Sequence, residues 1–502
     1  MSVATLSKSK LTSYRQCKKR FWLELHQKES EVVSDSSKAR FEDGNKTGEV
    51  AQKVYDPKSK GAQIDWKEEG MAQAIARTAT LLTDNAPIFE AGFEAGGARA
   101  FADVLLPSRK GGQKMWRMVE VKSSTSVKDY HRDDVAIQTY IARNSGTVLS
   151  AVALAYIDST WVYPGGGDYN GLFVEEDLTH EAFSRGKEVE AWIADAQVVA
   201  KKRTEPQQRT GEHCSDPFPC SFTAYCKSQE PQAKYPVQWL PRLQKSSVKA
   251  MVKDGTVTDM RELADDVLTS QQLRVKTHTL RNTVFFDAAG AAAELASSSL
   301  PGYFLDFETI QFAVPVWKGT RPYQMIPFQF SVHRLSRTGA QEHNAFLDLS
   351  GQDPSKAFAQ ALIDACSERG PVFVYNAAFE TARIKELAER FPKLKAKLLA
   401  INERVVDLLK IAQKHYYHPS LQGSWSIKKV LPSIAPDLQY SDLEGVQDGG
   451  MAMGAYLEAI ASKTTPARKA EIEQQLLKYC ALDTYAMVRL WQFFTGRTNF
   501  AK

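Results

Sequence analysis

Phe304-Leu305-Asp306-Phe307-Glu308-Thr309 decides how the C-terminal half of this chain is read. Side chains on a strand alternate with a period of two, so this apolar segment carries two acids on one face. An acid on a buried strand needs a partner or a cation to offset its desolvation. Outward from it, strand-like segments at 302–309, 325–335 and 342–349 come in succession. A helix at 354–369, a short apolar strand at 372–375 and further helices follow, the last at about 465–494. Three strands and then alternating helix and strand predict an α/β domain over 301–502.

Two further stretches of that domain carry acids. Tyr479-Cys480-Ala481-Leu482-Asp483 places a phenol and a carboxylate four residues apart, on one helical face. Val374-Tyr375-Asn376-Ala377-Ala378-Phe379-Glu380 runs from a strand into a helix. Asp306, Glu308, Glu380 and Asp483 together could hold two Mg²⁺ or Mn²⁺ ions roughly 3.5–4 Å apart, a clamp for in-line phosphoryl displacement. Tyr479 would orient or deprotonate the attacking water. Asp407, in Val405-Val406-Asp407-Leu408-Leu409, would supplement the acids or cap a helix. His415 and His418, beside Tyr416 and Tyr417, read as local packing or as substrate contacts. Cys366 and Cys480 sit in helices among apolar neighbours and read as core.

This pattern resembles the DEDD exonucleases of the DnaQ-like group, in the variant with tyrosine in the third motif, over about 301–495. The resemblance implies an RNase H-like fold and a 3′–5′ exonuclease site. The family usually has aspartate where Glu380 stands, and the extra methylene carries the carboxylate outward by roughly one bond length.

In the N-terminal half, Met118-Val119-Glu120-Val121-Lys122 sends a carboxylate and an ammonium from one face of an apolar strand. Strands at 98–106 and 115–121 flank a turn-forming Ser108-Arg109-Lys110-Gly111-Gly112, which would bring Asp103 to Glu120 across a hairpin. Two converging carboxylates hold a hard dication through oxygen, and Lys122 would orient or deprotonate water and offset phosphate charge. A helix at 133–143, carrying Gln138, and a strand at 148–157 follow. The opening, 11–25, has helical spacing of Leu11, Tyr14, Phe21, Trp22 and Leu25. Its basic stripe from Lys8 to Arg20 would track phosphates or form a solvated helix face.

With Asp103, Glu120, Lys122 and Gln138 in this order, and with Leu11-Thr12-Ser13-Tyr14-Arg15-Gln16-Cys17 ahead of them, residues 5–228 resemble the PD-(D/E)XK nucleases. The likeness is to the RecB-like, iron–sulfur-containing branch that includes a CRISPR-associated exonuclease family and AddB. It implies a restriction-endonuclease-like fold. Where that family commonly has a histidine on an early helix, this chain offers Glu49, as a metal ligand or as a surface residue. The glutamine motif's tyrosine would be Tyr140.

Cys214, Cys220 and Cys226 lie in one polar loop, and Cys17 lies far upstream. A zinc ribbon needs tighter pairs, whereas four thiolates also hold iron–sulfur clusters. One cysteine plus three would tie the domain's ends together across ~200 residues. The nuclease resemblance implies a [4Fe–4S] cluster on these four.

Length, 502 residues with 43% apolar and 25% charged, predicts about three globular domains. These are a nuclease-like domain at 1–230, a helical connector at 231–300 and the C-terminal domain at 301–502. Within the connector, 246–252 and 259–268 read as helices, and 240–263 faintly resembles a helix-hairpin-helix. A net charge of +5 says little about partners. The basic start is not followed by an apolar signal core, and no stretch approaches the ~18 apolar residues of a membrane span. Both points predict a cytoplasmic protein without membrane contact, where clustered cysteines bind metal more often than they form disulfides. The function expected is a two-site, metal-dependent nuclease in repair or antiviral defence. It would act on nucleic acid, DNA favoured and RNA possible, with a helicase or other partner unspecified. A nucleic-acid-binding scaffold with inactive sites is the competing class.

Overall fold

The computed structural model describes residues 5–32, 35–243, 247–253, 255–366 and 369–497. It is mixed α/β and divides into two compact units. One comprises Met1–Pro231 with Phe312–Gln324, the other Gln232–Gln311 with Met325–Lys502. Among the described residues, no helix is long and apolar enough to cross a membrane.

The sheet of the first unit runs, in spatial and sequence order, β1 (Ile88–Ala95), β2 (Ala98–Lys110), β3 (Gln113–Lys122), β4 (Leu149–Ile157) and β5 (Phe173–Asp177). Two-residue strands at Ala62–Gln63 and Leu6–Ser7 pair with β1 and β2. The β2–β3 hairpin runs further than its sequence suggested, because only Gly111 and Gly112 form the turn, both at positive φ. That conformation costs glycine little and suits the twist of a two-residue hairpin. Helices α1 (Lys8–Gln16), α2 (Lys18–His26) and α3 (Asp35–Tyr55) are among those that come before β1, and α4 (Asp129–Asn144) joins β3 to β4, which runs parallel to it.

Alternation along β3 sorts its side chains. Trp116 and Met118 join the larger core with Val135, Ile137 and Ile141 of α4, while Val119 and Val121 join a smaller one with Ala51 of α3. Glu120 and Lys122 therefore continue the face that α4 covers. The opening helix is not continuous. Cys17 has extended backbone, with φ −162° and ψ 121°, and divides α1 from α2. The segment Phe312–Gln324 completes this unit. Ala313 and Val314 pack with Val50, Ile157 and Leu172, and Gly319 N–H donates to the Tyr163 carbonyl at 2.8 Å.

In the second unit the sheet order is β8 (Gln341–Leu347), β7 (Ile326–Leu335), β6 (Gly302–Ile310), β9 (Val372–Val374) and β10 (Val405–Asp407). The first two pairings are antiparallel and the last two parallel. Helix α5 (Ser355–Ala365) precedes β9 and α6 (Ala377–Arg390) follows it; α7 (Ile427–Ile434), α8 (Gly449–Ile460) and α9 (Pro466–Thr495) come after β10. The predicted helix at 354–369 ends in α5 at Ala365, and residues 367–368 lie outside the described residues. Helix α9 closely matches its prediction because its signals are local. Thr465 Oγ1 accepts from Arg468 N–H at 3.3 Å, Pro466 opens the first turn, and Gly496 ends it at φ 67°.

Tyr303, Leu305 and Phe307 of β6 face a core built with α5 and α6. Phe304, on the opposite face, packs with Met487, Leu490 and Trp491 of α9. Asp306 and Glu308 extend that second face. The predicted connector 231–300 is not a separate module. Val237, Leu240, Met260, Val275 and Ala291 belong to the same core as Trp491, since pieces this short cannot bury an apolar surface alone. Among the described residues of 240–263 there is one short helix, Lys249–Lys253, and a 3₁₀ turn, Met260–Glu262, rather than a helix-hairpin-helix. Residue 246, where one predicted helix began, lies outside the described residues.

Candidate active sites

Glu120 is 1% exposed, and both its oxygens are engaged. Oε1 accepts from Lys122 Nζ at 2.6 Å and Lys8 Nζ at 2.9 Å, and Oε2 accepts from Gln138 Nε2 at 2.5 Å. Asp103 Oδ2 accepts from Val121 N–H at 2.7 Å, so the β2–β3 hairpin does bring Asp103 beside the Glu120 strand. Asp134, one helical turn before Gln138 on α4, accepts from Lys122 and lies 3.4 Å from Lys8.

Burial alone would raise the Glu120 carboxyl, but Lys122 and Lys8 outweigh it and hold the group well below the usual range. Asp103 goes the other way, pushed up by burial and then by the charge of Glu120. For Lys122, burial is outweighed by Asp134 and Glu120, which keep it protonated. Glu90, in β1 at φ 56°, feels Lys8 and Glu120 and is raised by burial. Gln138 Oε1 is buried without a partner, an acceptor able to take a water or a cation.

Glu49 is exposed on α3 and is not a member of the hydrogen-bonded network around Glu120. Tyr140 also lies apart, its ring against Gly96 and near the charge of Glu190. Sequence reading missed Asp134, Glu90 and the role of Lys8. Asp134 was accessible through its four-residue spacing from Gln138. Lys8 looked like one more member of a basic stripe.

Cys17, Cys214, Cys220 and Cys226 line one small cavity with Lys19, Arg20, Gln208 and His213. All four are free and half-buried. Cys17 caps α2, its Sγ accepting from Arg20 N–H at 3.4 Å, and donates to Gln208 Oε1 at 3.3 Å. Gly211 N–H donates to Cys214 Sγ at 3.5 Å. Cys226 is pushed up to about 11 by burial and by the other three sulfurs against the pull of Lys19. Four sulfurs lining one cavity beside Lys19 and Arg20 are a donor set suited to a metal or cluster that deprotonates them.

Asp306, Glu308, Glu380 and Asp483 meet at the second centre. Asp306 is held far above the usual carboxyl range by burial, then by Asp483, Glu308 and Glu380. Burial raises Glu308 and Glu380 to about 8 each, and Asp483 to about 6. Glu380, in the first turn of α6, is 2% exposed, and its Oε2 is buried with no partner. Acids gathered this way are short of positive charge, and a divalent cation would supply it.

Asp483 Oδ1 accepts from Tyr440 O–H at 2.5 Å, while Tyr479 also bonds the carboxyl. Lys428 Nζ lies 5.2 Å from the Tyr479 ring centre and 5.3 Å from that of Tyr440. It donates to the Gln447 carbonyl at 2.6 Å, and its charge reaches Glu308 and Asp483. Cys480 is wholly buried, as its core reading expected, yet its sulfur also borders the acids and donates to the Asp306 carbonyl at 3.8 Å. Asp407 is a cap, accepting from Leu409 N–H at 3.0 Å and Asn376 N–H at 3.1 Å. His415 sits between Asp287 and Glu294, and His418 caps a 3₁₀ turn, so both serve local structure. Tyr440 was missed because its short 3₁₀ segment carries no periodic pattern, and Lys428 because the apolar repeat of its helix, Ile427, Val430, Leu431 and Ile434, does not say which site the helix packs beside.

Residues 303–426 match a family described as a domain of unknown function, DUF2779. The matched span takes in Asp306, Glu308 and Glu380 and stops short of Tyr440, Tyr479 and Asp483. No curated protein significantly matches the chain.

Proposed function

We propose that this protein is a metal-dependent nuclease with two hydrolytic centres, acting on DNA in preference to RNA and probing ends rather than sequence. The observation that carries the reading is the second centre, where carboxylates from β6, α6 and α9 are brought close enough to act on Asp306, with one Glu380 oxygen buried and unbonded. Its strand order, three antiparallel strands followed by two parallel ones, supports an RNase H-like reading of 301–502. The Asp103, Glu120, Lys122 and Gln138 set supports a PD-(D/E)XK reading of 1–230, with the four cysteines holding a [4Fe–4S] cluster in a reducing cytoplasm.

Mg²⁺ or Mn²⁺ would be held by Asp103 and Glu120 in one centre, and by Asp306, Glu308, Glu380 and Asp483 in the other. Bound there, the ions supply Lewis acidity and an activated water. The protein's own part is positional. Lys122 holds a proton beside Glu120, and Gln138 fixes the carboxylate. Tyr440 and Tyr479 donate to the Asp483 carboxylate, and the Tyr479 oxygen would keep its lone pairs to accept from, and so align, a water. Lys428 brings positive charge to where phosphate charge develops. Repair or defence against foreign DNA, with or without a helicase, is the setting such chemistry suits.

Wild type, Glu120→Ala and Asp306→Ala should be compared on linear and circular DNA, and on matched RNA, labelled at either end. Loss of a different product set in each variant is expected. Intact substrates of every kind with metal-replete wild type would end the proposal, and preferential RNA cleavage would reverse its substrate.

A further inference from the structure

One sulfur stands among the oxygens of the second centre. A carboxylate oxygen of Asp306, one of Glu308 and Cys480 Sγ all lie within 4.8 Å of one another, with Glu308 and Cys480 buried and Asp306 half-buried. Donors around a tetrahedral zinc sit roughly 3.5 Å apart, from metal–ligand lengths of about 2.0–2.3 Å. A small rotation of two flexible carboxylates covers the difference. Independently, Glu380, whose Oε2 is buried and unpartnered, lies near enough for its charge to act on Asp306 of this group, which leaves the centre short of a cation.

Cys480 sets this group apart from an all-oxygen site. Magnesium takes oxygen ligands in a strict octahedron and gains nothing from sulfur. Zinc and cadmium accept thiolate and carboxylate together. The Cys480 thiol donates to the Asp306 carbonyl at 3.8 Å, a weak bond that is easily given up, and its sulfur also accepts from the Ser331 backbone N–H, which favours the thiolate.

We infer that the second centre is also a tight site for a thiophilic dication, Zn²⁺ or Cd²⁺, held by Asp306, Glu308 and Cys480, and that this occupancy stops hydrolysis there. Binding replaces the S–H bond with an S–metal bond and releases the proton to solvent, with no change of oxidation state. It draws Asp306 and Glu308 toward the sulfur on α9 and away from the geometry that the oxygen-bound ions require. The inhibitory part rests on the hydrolytic reading of this centre, whereas the binding part does not.

The test uses the full-length, cluster-loaded protein in excess Mg²⁺. Cd²⁺ is titrated while the near-ultraviolet sulfur-to-metal charge-transfer band is followed, for wild type and for Cys480→Ser. Cys480→Ala gives the same comparison if serine disturbs the packing. The wild type should show a band increment of one thiolate that both variants lack. The Zn²⁺ concentration halving product release from the second centre, assayed in an Glu120→Ala background, should rise roughly tenfold or more in the variants. Equal band increments in wild type and variants would overturn the site. An increment without inhibition would overturn the regulatory role alone, and absence of any hydrolysis would count against the nuclease reading while leaving the metal site standing.

Discussion

Glu380 has a carboxylate oxygen that is buried and bonded to nothing, and that predicts how stability depends on pH. Its carboxyl is raised by burial to about 8, and Glu308 shares that value and cause. A folded-state value above the unfolded one stabilises fully below the unfolded value, about 4.3, and that contribution is lost as pH rises through the folded value. Without divalent metal, the melting temperature should therefore fall between about pH 5 and pH 8.5, and Mn²⁺ should restore it most at the alkaline end. In Glu380→Gln the alkaline decline should be shallower, read by thermal unfolding in chelator across that range. An unchanged slope would refute the assignment. At the first centre, Lys8→Met takes away one of the two ammonium groups, Lys8 and Lys122, that face Asp134 and Glu120. Breaking a buried pair costs about 3–5 kcal/mol, but the Lys8 side chain is 21% exposed, so about 1–3 kcal/mol is expected from denaturant melts. Asp103, Glu120, Asp306, Glu308 and Asp483 were legible because each interrupts an apolar alternation or sits at a helical repeat, and Glu380 because it follows a strand into a helix, whereas Asp134 and Glu90 were not. Lys8 was not, because only the tertiary fold turns the start of α1 toward a strand more than a hundred residues on.

At the scale of elements, the break at Cys17 separates two roles carried by one side chain. Its backbone leaves helical geometry, and its sulfur accepts the Arg20 N–H at the start of α2. Serine keeps that cap, and alanine discards it at about 1 kcal/mol. Cys17→Ser should thus melt close to wild type in the cluster-free form while losing bound iron and sulfide on anaerobic purification. Cys17→Ala should lose both iron and about 1 kcal/mol. Full iron occupancy in the serine variant would remove Cys17 from the ligand set. Apolar spacing over 11–25 could not show the break, because a single extended residue leaves the helical repeat on either side nearly in phase. Strand β1 escaped notice for a related reason. Ile88–Ala95 carries Glu90 at positive φ and Gly92 against Phe101, so its composition argues against the strand that neighbouring β2 imposes. The strands at 302–309 and 325–335 and the helix at 465–494 were readable because their signals are local: alternation in the strands, a cap and a terminal glycine in the helix.

At the scale of the whole molecule, three predicted domains become two units because burial, not sequence order, sets the boundary. The segment Phe312–Gln324 leaves the strand that carries Asp306 and Glu308 and belongs to the first unit. There Ala313 and Val314 cover Val50, Ile157 and Leu172, Gly319 N–H donates to Tyr163 O at 2.8 Å, and Tyr163 N–H donates to Thr320 O at 3.0 Å. Burying one valine contributes about 1.5–3 kcal/mol and each hydrogen bond about 0.5–1.5 kcal/mol. A fragment of residues 1–231 should therefore be less stable, by roughly 2–5 kcal/mol, than the same fragment with 312–324 attached through a flexible linker. Thermal and urea unfolding of the two fragments measure the difference, and equal midpoints would show the segment to be dispensable. The same reasoning makes chain order matter during synthesis. The first unit lacks part of its apolar cover until residue 324 has emerged, so protease resistance of its Val50–Ile157–Leu172 region should appear only in nascent chains extended beyond that point.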